Sequence, residues 1–435
     1  MQRKENILRW VFVTVMALLL LPSALLFTGV KQAMELKGDY ERYERPALTD
    51  TGWFSLSFQE SFEKWENQHF GYHDVLVRLH HQIEFSLFDT FYVKNLIVGK
   101  EGYLFDYYYV RAANGSDILP DEAVKSLAKK TRVLQDSLKA HGIAFMFLAA
   151  PGKGSYHEQY IPEEMRHTNA PKNIQLFEKH MNAYGVQFIN GVQWFEKMKD
   201  TLPFSLFPKR GIHWGLYGAY LTADSIQKRN ALFTGKDLPD YHLKLCWMLE
   251  DLETSDWDAE ESMNLLFRLS SYPMPYPDYE VKRNDSIPPQ KLLVIGDSYF
   301  WRLYNVWTPQ KIYDPIHFWY YNKQLFIGPD GPKTPLDTNN VWQQLQQYDA
   351  VIIMCTDANL SACPWGLVDR VYSEFGIPDQ GKVSNAEIKK WESYIRSTPE
   401  WMEALKKKST ERKISVDSMI RIDAKYMAEQ DTTIY

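Results

Sequence analysis

Two short stretches carry residues that could perform nucleophilic chemistry together. The first is Lys291 to Phe300, KLLVIGDSYF, in which a β-branched apolar run breaks into Gly296-Asp297-Ser298 and resumes with aromatics. Leu292–Ile295 has the composition of a buried parallel strand, and Gly296 supplies the freedom for a sharp turn at its carboxyl end. Ser298 then sits at the strand tip, the edge where open α/β sheets bind ligands. A helix starting just after it would aim backbone N–H groups at an oxyanion formed there. The second stretch is Phe207 to Tyr220, FPKRGIHWGLYGAY, where Pro208 and Gly211 place His213 on a loop before an apolar helix. A serine hydroxyl is a poor nucleophile until a base takes its proton, and an imidazole suits that task near neutral pH. Taken singly, Gly-Asp-Ser is also common turn chemistry and a lone histidine is more often a structural hydrogen-bonder. The pair carries the hypothesis.

The elements that must position this pair follow an α/β rhythm. A hairpin is predicted at Asn95–Phe105, turning at residues 99–102. A helix follows over Asp121–His141, and a continuous apolar strand over Ile143–Ala150 runs into the turn Pro151-Gly152-Lys153-Gly154. Then come a helix at Asn173–Ala183, a strand at Val186–Asn190, a helix at Val192–Lys199 and a helix from about Leu216 to Ile226. After the serine strand, Ile312–Tyr321 reads as a strand, Thr334–Gln347 as a helix and Ala350–Cys355 as the last buried strand. Its end, Thr356-Asp357-Ala358-Asn359, puts polar groups on the edge that holds Ser298. Such alternation predicts a parallel sheet covered by helices. Residues 235–290 break the rhythm with an acidic run around Glu250–Glu261 and prolines at 273–277, and read as an insertion or a loop over the site.

Composition bounds the remaining classes. The chain has 435 residues, 45% of them hydrophobic, with a formal charge of −6. That balance excludes a nucleic-acid binder, which would show a concentrated basic face. Three cysteines cannot close a disulfide framework and have no CxxC metal spacing; pairing of Cys355 with Cys363 and free buried thiols are both open. His69, His73, His80 and His81 have no accompanying HExxH pattern and read as surface histidines, so no metal is assigned.

At the amino terminus, Arg3, Lys4 and Arg9 precede Trp10–Val30, a run of 21 residues without charge. That length matches the ~20 residues of a bilayer-spanning helix and exceeds a cleaved signal's core. The flanking charges place residues 1–9 in the cytoplasm and everything past about residue 31 in the periplasm or outside, by the positive-inside rule. The expected organisation is therefore a tail at 1–9, a transmembrane signal anchor at 10–30 in the cytoplasmic membrane, and a helical packing segment at 31–95. The α/β domain occupies 96–377, and a charged helical extension occupies 378–435. In that extension Ser384-Asn385-Ala386-Glu387 reads as a capping box ahead of the stripe Ile388, Trp391, Ile395.

With GDS on a strand tip and GIHW-x-x-x-G upstream, the chain resembles the SGNH-hydrolase-like alginate O-acetyltransferases of the AlgJ/AlgX type. The GKEGYLF hairpin at 99–105, the Pro-Gly-Lys turn at 151–153, HWGLYGA at 213–219 and the single anchor agree, over roughly residues 60–360. In ordinary GDSL esterases the serine comes first; His213 preceding Ser298 is the order of the acetyltransferase family. The resemblance implies an SGNH-hydrolase-like (flavodoxin-like) fold, Ser298 as the nucleophile that takes an acetyl group and His213 as its base. It also implies a polysaccharide acceptor, a multipass membrane O-acyltransferase as acetyl donor, and no soluble cofactor. The family's Asp-x-His motif has Gly211 where the Asp belongs. Three readings are open: another acid, Asp297 or Asp357, stands in; a Ser–His dyad suffices; or the domain only binds or assembles glycan. Asp297 is taken as the catalytic acid, and Asn359, Lys153 and Tyr321 as the oxyanion or substrate-binding candidates. The expected activity is O-acetyl transfer to an exported polysaccharide, with a polysaccharide O-acetylesterase as the alternative.

Overall fold

The computed structural model describes residues 2–26, 34–38, 42–166, 170–236, 238–284, 286–328, 331, 333–376, 385–412 and 414–431. Its strands are β1 (Leu96–Val98), β2 (Leu104–Asp106), β3 (Ala144–Ala150), β4 (Phe188–Asn190), β5 (Asp240–Leu249) and β6 (Met274–Lys282), followed by β7 (Gln290–Gly296), β8 (Tyr313–Tyr320), β9 (Gln324–Phe326), β10 (Lys333–Pro335) and β11 (Ala350–Thr356). β1 and β2 form the expected hairpin. Seven strands make the central sheet in the order β10-β9-β8-β7-β11-β3-β4, parallel from β8 to β4, with β9 and β10 added antiparallel at one edge.

Strand alternation divides the core into two layers. Ala144, Met146, Leu148, Leu292, Val294, Ile352 and Met354 face one side with the helices Leu216–Thr234 and Phe300–Trp307. Phe145, Phe147, Leu293, Ile295, Val351 and Ile353 face the other, against Asp121–Ala140, Asn173–Ala183 and Leu367–Glu374. Side chains that point alternately to opposite faces, all of them apolar, require helices on both faces. The sheet edge formed by the carboxyl ends of β7, β11 and β3 is thereby left as the open rim of the domain.

One expectation needs correction. Residues 334–347 are not one helix: Lys333–Pro335 pair with β9, and only Val341–Leu345 is helical. Pro335 suits an edge strand and starts no helix there. All three cysteines are free thiols, with Cys355 and Cys363 buried. The amino-terminal helix runs Gln2–Leu26 and carries exposed Trp10, Phe12, Leu18 and Leu19. It begins early enough to include Arg3, Lys4, Glu5 and Arg9, which the uncharged run Trp10–Leu26 follows within it. Among the described residues no helix is long and apolar enough to cross a membrane, and residues 27–30 of the expected span lie outside them.

Residues 31–95 supply helices at Asp50–Phe54, Ser57–His69 and His73–Phe88. The last is tied to the insertion through Arg78, which donates to Leu265 O at 3.0 Å, and His81, 3.0 Å from Met263 O. The carboxyl-terminal helices Asn385–Ser397, Pro399–Arg412 and Val416–Asp431 pack around their own core of Ile395, Leu405, Met419 and Ile420. The predicted boundary at 378 and Ser384 of the predicted capping box fall outside the described residues.

Gly296, at the tip of β7, has no room for a side chain: a Cβ there would lie 2.5 Å from Met354 O on β11. Gly296→Ala is expected to lower stability by about 1–3 kcal/mol through overpacking, read as a lower denaturation midpoint.

Candidate active site

The serine turn is held by Asp297. Its Oδ2 accepts from Thr356 N at 2.7 Å, Thr356 Oγ1 at 3.0 Å and Asn359 Nδ2 at 2.8 Å, and its Oδ1 accepts from Tyr299 N at 3.2 Å. This carboxylate is 1% exposed and staples the tips of β7 and β11. Phe300 N and Trp301 N then bond to the carbonyls of Asp297 and Ser298, each at 3.2 Å, so the chain enters the helix Phe300–Trp307 directly after the serine.

Ser298 Oγ donates to His213 Nε2 at 2.8 Å. Two bonds between their neighbours fix that approach. Trp214 Nε1 donates to Tyr299 O at 3.2 Å, and Tyr299 OH donates to Ile212 O at 2.9 Å, so the residues on both sides of His213 are tied to the one after Ser298. The histidine loop is braced from below by Lys153. This 1%-exposed ammonium donates to Lys209 O at 2.9 Å and Gly211 O at 2.7 Å, with the rings of Tyr103 and Phe105 within 6 Å.

The third member comes from the insertion. Asp258 Oδ2 lies 2.5 Å from His213 Nδ1, and Asp258 Oδ1 accepts from Ile212 N at 2.7 Å. A carboxylate on Nδ1 fixes the tautomer that leaves Nε2 free to accept the serine proton. Burial pushes the Asp258 carboxyl up, but the His213 imidazole, the Ile212 N–H and Lys153 together outweigh it and hold it below the usual carboxylate range. Gly211 makes this possible. A Cβ at that position would sit 2.9 Å from the Asp256 backbone, so a residue with a side chain would push away the segment that delivers Asp258.

That segment is anchored on the serine helix. Arg302, 3% exposed, donates through Nη2 to Asp256 Oδ1 at 2.5 Å and through Nη1 to Glu253 Oε2 at 2.8 Å, while Tyr276 OH on β6 donates to Asp256 Oδ2. Ser298, His213 and Asp258 open on a cleft of about 480 Å³ that Trp301, Arg302, Asn305 and Glu253 also line.

The structure thus brings Ser298 and His213 together and supplies an acid that the sequence reading missed. Asp297 is not that acid, because its oxygens are engaged by the β7 and β11 tips and not by His213. Asp357 accepts from Ser155 Oγ. Asn359 spends its amide on Asp297 and, at 3.2 Å, on Thr356 Oγ1, and Lys153 spends its ammonium on carbonyls. Tyr321 packs tilted on Tyr320 and edge-on to Trp365, with its N–H on Gly296 O, so it too serves the turn. The sequence signal for Asp258 was indirect: a missing acid at Gly211, and an acidic run elsewhere in which nothing singled out one residue.

Two outcomes are expected. Asp258→Asn lowers cleavage of a chromogenic acetyl ester by about 10²–10⁴-fold with the fold intact, following the cost of the same change in a serine protease. Asp357 gives a pH signature. Burial pushes its carboxyl up from 3.8 to about 6, so the folded state holds that proton more tightly than the unfolded one. The stabilisation is complete below about pH 4 and is lost as pH rises through about 6. Relative to Asp357→Asn, the wild type should therefore lose on the order of 2–3 kcal/mol across that window, measured by urea denaturation at a series of pH values.

Residues 96–250 match the family model ALGX, described as SGNH hydrolase-like domain, acetyltransferase AlgX. The matched stretch includes His213 and ends before Asp258 and Ser298. No curated protein matches the chain. Among solved structures, the O-acetyltransferase domain of Pseudomonas putida AlgJ is 15% identical with a TM-score of 0.39, covering 64% of this chain and 99% of that one. Pseudomonas aeruginosa AlgX is 15% identical with a TM-score of 0.37, covering 63% and 67%. Bacillus cereus PatB1 is 13% identical with a TM-score of 0.37, covering 61% and 97%. At such values nothing about this chain's chemistry rests on these likenesses. The family model matched over residues 96–250 is that of the family which the chain's motifs resemble.

Proposed function

We propose that this protein is an O-acyltransferase that moves acetyl groups onto hydroxyls of an exported or cell-surface polysaccharide through an acyl-enzyme on Ser298. The observation that carries the reading is the hydrogen-bonded chain from Ser298 Oγ through His213 to Asp258, at 2.8 and 2.5 Å. In the first half-reaction Ser298 Oγ attacks the acetyl carbonyl and its proton passes to His213 Nε2. Asp258 holds the imidazolium by its Nδ1–H. The backbone N–H of Ser298, at the entry to the helix Phe300–Trp307, is suited to the oxyanion. Collapse expels the donor's leaving group, which takes the proton from His213, and leaves acetyl-Ser298. In the second half-reaction an acceptor hydroxyl enters from the cleft, gives its proton to His213 and takes the acetyl group, while His213 returns the proton to the departing Ser298 Oγ.

The reading includes attachment to the cytoplasmic membrane through the uncharged run Trp10–Val30, with the α/β domain on the periplasmic or outer side. It includes a multipass membrane O-acyltransferase as the acetyl source, so no soluble cofactor is required. Gly211 favours a silent glycan-binding or assembly role, and the pairing of Asp258 with His213 weighs against it. An O-acetylesterase would use the same three residues with water as the acceptor.

The test uses the full chain in detergent with a chromogenic acetyl ester. Ester cleavage is expected in the wild type and lost in both Ser298→Ala and His213→Ala, and an oligosaccharide acceptor should become acetylated. Cleavage that survives Ser298→Ala would overturn the acyl-enzyme, and cleavage that no acceptor diverts from water would move the assignment to esterase.

A further inference from the structure

The cleft does not end at the catalytic groups. Glu253 and Asn305 also line a second cavity of about 380 Å³, walled by Tyr304, Tyr279 and Thr308. The two form a groove along one face of the serine helix, because Ser298, Trp301, Arg302 and Asn305 recur at the three-to-four-residue spacing of a single helix face. A groove longer than one reacting sugar can hold the neighbouring residues of a polymer. Trp301, Tyr304 and Tyr279 offer flat apolar rings against which a pyranose face can pack, and Asn305 offers an uncharged hydrogen-bonding partner.

The charges lining this groove are one-sided. Among the described lining residues the only permanent cation is Arg302. Its side chain is 3% exposed, its Nε is buried, and its two Nη groups are taken by Asp256 and Glu253. Glu253 is 52% exposed at the mouth, and Asp258 is bound to His213. One guanidinium therefore faces two carboxylates, and no lining cation is left to receive an anion. A sugar carboxylate entering here would meet Glu253 with no compensating partner, and like charges at a binding surface act as a filter against the wrong ligand.

We propose that the acceptor groove selects a glycan without acidic groups, a neutral or amino-sugar hexose chain, and rejects uronic-acid polymers. This deepens the acyl-transfer reading and rests on it, while its test reads binding alone. Affinities of the full chain in detergent are measured by calorimetry, without acetyl donor, for three oligosaccharide series of matched length: neutral glucan, glucosamine and uronate oligomers. The neutral or glucosamine series should bind at least about tenfold tighter than the uronate series, and Glu253→Gln should narrow that gap. Uronate binding as tight as the others, a gap unchanged in Glu253→Gln, or no binding of neutral and amino-sugar chains at millimolar concentration would each overturn the proposal. Loss of ester cleavage with selective glycan binding retained would count against acyl transfer and leave the groove's selectivity standing.

Discussion

The bond between Asp258 and His213 is the constraint around which the rest of the site is arranged. It joins a carboxylate in an insertion to an imidazole on a core loop 45 residues earlier in the chain. A part-buried carboxylate loses solvation that only a charged or hydrogen-bonded partner restores. Asp258 has both, since one oxygen meets the imidazole and the other the Ile212 N–H. The same residue therefore closes the insertion over the loop and orients the base. Gly211 is the counterpart of this arrangement: the position that would carry an acid in the resembled motif is instead the gap through which the Asp256 backbone passes.

Buried charge elsewhere in the domain serves position more than stability. Arg302 and Asp256 form a buried ion pair with half-exposed Glu253 at its outer side, and a buried pair of this kind gains little over apolar packing once desolvation is counted. Its consequence is geometric, for it fastens segment 253–258 to the helix that begins after Ser298. Lys153 acts in the same way. Burial pulls its ammonium well below the ordinary lysine range, and its protons go to two carbonyls of the loop that presents His213. The nucleophile, the base and the acid thus come from three separate segments, each held by its own polar tether.

Much of the scaffold was legible because the sheet writes its pattern locally. β3, β7 and β11 are continuous apolar runs, and a strand buried on both faces needs no other signal. Ser298 and His213 were legible because a strand-tip serine and a loop histidine each carry turn residues beside them. Residues 334–347 were misread because an edge strand of three residues, Lys333–Pro335, has too few positions to show a period and shares its polar composition with a helix surface. Asp258 was illegible for a different reason. Its role depends on the pairing of β5 with β6, which folds the acidic run back over Gly211, and no local pattern encodes that closure.

The polar residues at the sheet edge mark the limit of positional reasoning. Asp297, Asn359, Lys153 and Tyr321 all lie at or near the ends of strands, where ligands bind in open α/β sheets. Yet a strand tip is also where the backbone leaves its ladder and must find new partners. Asp297 answers that need for Thr356 and Tyr299, Asn359 answers Asp297, and Lys153 answers the histidine loop. A carboxylate or amide whose lone pairs and protons are already spent on the turn has none to offer a transition state. Ser298 differs in that its hydroxyl is bonded to a base and lines an open cleft. What separates chemistry from architecture at this edge is thus which polar atoms the fold has left unspent, a property of the assembled tip and not of any residue's place in the chain.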